Sequence, residues 1–71
     1  MRGSEFLRKV KRLGRKQGDA VTFVPGHGKG SHGALYFGNY RTTLKDLKKE
    51  IPSGLLQGMC KDLGFAPQDL F

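Results

Sequence analysis

The chain carries a single cysteine, Cys60, so no internal disulfide can form, and a reducing, cytoplasmic setting is expected. Long apolar runs are missing as well. No segment approaches the roughly 20 residues that cross a bilayer, and the N-terminal charges lead into no apolar stretch of the secretory kind. A membrane partner is therefore not expected. Acids are few: six Asp plus Glu lie scattered, with no paired carboxylates for magnesium or glycosidase chemistry. Cysteine and histidine form no cluster with zinc-ligand spacing, so neither a metal nor another cofactor is expected. There is no internal repeat and no second domain, and the reading is one domain over 1–71. A chain this short buries only about 60% of its unfolded surface, which leaves little room for a small-molecule cavity. The working surface should be open.

What the chain has in excess is positive charge. Thirteen Lys plus Arg give a net charge of +7, which attracts polyphosphates at long range and raises encounter rates with them. RNA is the first candidate partner. Phe6, Leu7, Val10 and Leu13 make one apolar helical stripe, with Ser4 as N-cap and Glu5 in the first turn, and predict a helix over 5–17. Its other face holds Arg8, Lys9, Lys11, Arg12, Arg15 and Lys16, six cations within nine residues and no acid among them. A solvated face is the bland reading. The one-sidedness favours phosphate contact, with Arg8, Lys9, Arg12 and Lys16 projecting away from the stripe.

Ala20–Val24 is β-branched and aromatic and stops at Pro25, as a strand does. A glycine-rich loop over 25–33 follows. Ala34–Phe37 and Tyr40–Leu44 flank Gly38-Asn39, a two-residue hairpin turn. Tyr36, Tyr40 and Arg41 could stack on unpaired bases or be half-buried strand residues. A charged connection over 45–52 leads to Ser53, expected to cap a second helix with Leu55, Leu56, Met59, Cys60 and Leu63 inward and Gly64 as a left-handed stop. The tail 66–71 is expected to dock loosely. Residues 1–3 read either as native chain or as a leader. The order predicts an α+β sandwich with both helices on one face of a three-stranded antiparallel sheet, the order also found in double-stranded-RNA-binding domains.

Chemistry concentrates at Gly28-Lys29-Gly30-Ser31-His32-Gly33. Glycines on both sides leave the imidazole of His32 uncovered, and histidine is the side chain best suited to proton transfer near neutrality. Metal-free RNA cleavage needs a base for the ribose 2′-OH and an acid for the departing 5′-oxygen, and one imidazole can serve as either. Lys29 could steady the pentavalent phosphate. His27 is either a second proton carrier or a solvated residue. The glycine run lacks the spacing of a nucleotide-binding loop. Cys60, on an apolar face without an activating base, reads as core.

Taken in order, Ser4-Glu5-Phe6-Leu7, Gly30-Ser31-His32 before a hairpin, and Asp46–Leu56 leading into a helix that ends at Leu63-Gly64-Phe65 resemble the HicA family of toxins. The resemblance runs from about Ser4 to Phe65. It departs from the family pattern at Gly33, where many members carry a second histidine, and in a longer loop over Pro25–Lys29. It implies the double-stranded-RNA-binding-domain-like α-β-β-β-α fold and a cytoplasmic, metal-independent endoribonuclease, an mRNA interferase with His32 catalytic. The implied partners are mRNA and a HicB-like antitoxin. The rival reading is a non-catalytic RNA-binding module of the same fold, and a weaker third is a structural protein of a ribonucleoprotein particle.

Overall fold

Alternation in three short strands and a stripe on each helix put the apolar residues on one side of a single sheet. The computed structural model describes residues 1–26 and 32–71. Within them the chain forms α1 (Gly3–Gln17), β1 (Val21–Val24), β2 (Gly33–Phe37), β3 (Tyr40–Leu44), α2 (Ser53–Asp62) and a 3₁₀ turn at Pro67–Leu70. The strands are antiparallel in the order β1-β2-β3. This is the expected α-β-β-β-α layout of the α+β class.

Register decides the two faces. Phe23, Leu35 and Thr42 align across the sheet, as do Val21, Phe37 and Tyr40, so they share a face. Phe6, Val10 and Leu13 from α1 and Met59, Cys60 and Leu63 from the α2 end join Leu35, Phe37 and Leu44 in one core. Phe6, Val10, Leu35, Leu44, Cys60, Leu63 and Leu70 are almost wholly buried. Each large aliphatic or aromatic side chain among them contributes about 1.5–3 kcal/mol of hydrophobic stabilisation. Thr42 is the buried polar residue of this face, and its hydroxyl donates to Asp62 Oδ2 at 3.0 Å, tying β3 to α2. Phe65 and Phe37 pack edge to face, 5.2 Å between ring centroids.

The helix ends differ from expectation. The first helix begins at Gly3, and Ser4 does not cap it. The N–H groups of Gly3 and Ser4 donate instead to the carbonyls of Lys49 (3.0 Å) and Leu47 (2.8 Å) in the 45–52 connection. A distant backbone thus satisfies donors that usually need a side-chain cap. Ser53 is likewise the first helical residue of α2 rather than its cap, and no side-chain cap bond forms there. Gly64 does stop that helix with φ +83°, its N–H and that of Phe65 donating to the carbonyls of Lys61 and Cys60.

Other details of the packing are equally specific. Leu55 is 49% exposed and lies off the buried face of α2. β1 starts at Val21 instead of Ala20, and β2 starts at Gly33 instead of Ala34. The tail docks through Leu70, at 2% exposure, and through partly buried Phe65, whereas Phe71 is 75% exposed. Gly14 lies inside α1 at a close approach to β1. A Cβ there would lie 2.4 Å from Val21 Cγ2 and 2.9 Å from the Asp19 carbonyl oxygen, so this glycine lets α1 approach β1.

Candidate nucleic-acid interface

His32 stands immediately before β2 and is exposed. Its neighbour Gly33 is buried, and the reason is packing: a Cβ would lie 2.7 Å from the Phe23 ring and 2.9 Å from the Leu44 carbonyl oxygen. Only a glycine lets β2 start against Phe23, and that fixes where His32 leaves the sheet.

His32 lines an open depression of about 540 Å³ together with Phe23, Pro25 and Gly26 and with Lys45, Asp46, Leu47, Lys48 and Lys49. Register accounts for this meeting. Gly33 pairs with Leu44, so His32 and Lys45 are the residues next beyond the end of the ladder, and both line the depression. The connection then turns back, with Lys48 N–H donating to Asp46 Oδ1 at 2.9 Å and Lys49 N–H to the Asp46 carbonyl at 3.2 Å. The turn brings three lysines to the lining of the depression that His32 borders, with one carboxylate, and backbone already occupies an oxygen of that carboxylate. Sequence reasoning did not place these lysines near His32.

The cations of α1 divide into two rows. Arg8, Lys11 and Arg15, spaced by three and four, line a second depression with Ser4 and Leu7. Lys11 and Arg15 also line a third, beside Asp19 and Val21 on the β1 side. The Ser4–Leu47 hydrogen bond joins this row to the His32 depression, since Ser4 borders one and Leu47 the other. Lys9, Arg12 and Lys16 form the other row and face the tail, beside Asp69, Leu70 and Phe71.

Lys9 departs from expectation most. Its ammonium lies 3.7 Å from Glu5 and 4.2 Å from the centroid of Phe71, and its side chain is largely covered. It is therefore not part of an acid-free face. Arg8, Arg12 and Lys16 are exposed. The expected roles of His27 and Lys29 lie outside the described residues.

Against protein-family models, curated proteins and solved structures alike, the chain finds no match.

No helix among the described residues is long and apolar enough to cross a membrane. Cys60 is buried, and burial, assisted by the nearby Asp69 charge, pushes its thiol pKa up. A thiol held protonated is a poor nucleophile. Among the described residues no three His, Cys, Asp or Glu gather at metal-binding distance.

Tyr36 and Tyr40 separate onto opposite faces. Tyr40 shares the core-side row of Phe37, and its ring lies against Gly64, where a Cβ would come within 2.9 Å. Tyr36 pairs with Arg41 on the open face.

Proposed function

We propose that this protein is a cytoplasmic, metal-independent endoribonuclease of HicA type that cuts mRNA, with His32 as the proton-transfer group. The reading is carried by one observation: an exposed histidine at the mouth of β2 opens onto a depression shared with Lys45, Lys48 and Lys49. The net charge of +7 and the ordered sequence resemblance support it further.

The chemistry follows from the residues. A phosphodiester lying in the depression has its charge met by the three ammonium groups. His32, when neutral, takes the proton of the ribose 2′-OH, and the 2′-oxygen attacks the adjacent phosphorus. The P–O5′ bond breaks, and a protonated imidazole or water supplies the proton to the departing oxygen. The ammonium groups favour the pentavalent phosphate, which carries more charge than the ground state. Products are a 2′,3′-cyclic phosphate and a 5′-hydroxyl. A HicB-like antitoxin with an acidic surface would inhibit by occupying the same lysines.

The test is incubation of purified protein with a short unstructured RNA in excess EDTA, with product ends identified by mass. A cyclic phosphate end with cleavage unaffected by the chelator fits the proposal. A 3′-hydroxyl end, or activity restored only by magnesium, removes it. Binding without cleavage would leave the RNA-binding module as the better reading.

A further inference from the structure

The sheet face turned away from both helices carries a short track of its own. Thr22, Tyr36 and Arg41 form one cross-strand row, and Val24, Ala34 and Thr43 form the next. All but Ala34 are exposed. The Arg41 guanidinium lies over the Tyr36 ring, 5.8 Å from its centroid. No Asp or Glu stands in either row. Beyond Ala34–Thr43 and the core-side Gly33–Leu44 pair, the next residues are His32 and Lys45, both exposed at the depression. Tyr36 lies four steps of extended chain from His32, roughly 13 Å.

We propose that this face is a single-strand RNA platform, on which an unpaired base stacks on Tyr36 and Arg41 while the strand runs along β2 to His32 and Lys45. The proposal rests on the nuclease reading above and adds where the substrate lies. A guanidinium lying over an aromatic ring offers a flat cationic surface that a base can extend by stacking, and stacking accepts any base because each has a π-face. Arg41 and Lys45 flank the track with positive charge, matching phosphates on either side of a stacked base. A duplex has no splayed base to offer, so the platform selects unpaired RNA. Tyr40, on the core-side row against Gly64, takes no part.

The experiment measures binding of a 2′-O-methylated single strand, which lacks the hydroxyl nucleophile and is not consumed. Tyr36→Ala should bind it roughly five- to 150-fold more weakly, the usual loss of one base–aromatic stack. Tyr40→Ala should bind as the parent does, and a duplex of the same length should bind both tyrosine variants equally. The chain has no tryptophan, so Tyr36→Trp adds a lone reporter whose emission should fall as the strand binds. Unchanged affinity in Tyr36→Ala, or unchanged emission from a saturated Tyr36→Trp, overturns the platform and leaves the nuclease reading standing. Tyr36-dependent binding by a protein that cuts no RNA keeps the platform and removes the nuclease. A parent protein that binds no single strand removes both.

Discussion

The backbone N–H of Ser4 donates to the carbonyl of Leu47 over 2.8 Å, so the start of α1 and the lysine connection beside His32 are built as one unit. Gly3 sits at that junction. A Cβ there would lie 2.7 Å from the Asp46 carbonyl oxygen and 2.9 Å from Leu47 Cα, and backbone cannot swing aside as a side-chain end can. Gly3→Ala should therefore cost about 1–3 kcal/mol, the usual range for overpacking. Urea denaturation checks this, and an unchanged midpoint would show that the junction is loose.

Gly14 and Gly58 should respond in opposite directions to the same substitution. Both lie inside helices, where alanine is better than glycine by up to about 1 kcal/mol. Nothing lies within 4 Å of a Cβ at Gly58, so Gly58→Ala should raise the melting temperature by a few degrees, roughly 4–8 °C per kcal/mol in a domain of this size. At Gly14 the Cβ would meet Val21 and the Asp19 backbone, so Gly14→Ala should lower it. Thermal denaturation of the two variants side by side reads both signs.

Cys60 should be unreactive in the folded protein. Burial raises its thiol pKa, with the Asp69 charge adding to the rise, so its thiolate fraction at pH 8 is below that of a free cysteine. The sign follows directly: reaction with a thiol reagent should be slow near pH 8, quicken as pH rises, and become fast at any of these pH values once denaturant unfolds the chain. Equal rates in native and unfolded protein would contradict the buried placement.

Local pattern made the core legible. The Phe6/Val10/Leu13 stripe, the alternation of Leu35 and Phe37, and the Gly38-Asn39 turn are near-neighbour signals, and each corresponds to what the fold does. Gly38 has φ +59°, with no positive φ among non-glycine residues described, as a type II′ hairpin turn requires. A serine at a helix start is a local cue, whereas the carbonyls of Leu47 and Lys49 that meet the first N–H groups of α1 arrive from across the chain. The site was half legible for the same reason. His32 shows in its glycine frame, but Lys45, Lys48 and Lys49 reach it only through strand register and the turn at Asp46. Lys9 reads as a free cation until Phe71 and Glu5 are seen around it. The hairpin register could have paired Tyr36 with Arg41 from sequence, because a two-residue turn fixes which residues face each other.

The two groups of cations should separate in salt titrations. Changing Lys45, Lys48 and Lys49 together to Gln should weaken binding of an unstructured RNA at every sequence alike, since phosphate contacts carry no base information. The slope of log K against log salt should flatten by about 2, at roughly 0.7 per lost single-strand contact. Lys9→Gln alone should leave the slope unchanged, because Glu5 and Phe71 already hold its ammonium. A flattened slope from Lys9→Gln and none from the triple variant would move the RNA path to the tail side of α1.

His32 carries the central claim, and the rate of cleavage of a defined RNA by His32→Ala beside the parent protein tests it most directly. His32 is exposed and contributes to no core contact, so the variant should keep the parent's circular dichroism and melting temperature. The account predicts a loss on the order of 10²–10⁴ in rate, as expected when a proton-transfer group is removed. Parent-like cleavage by a folded His32→Ala protein would contradict it.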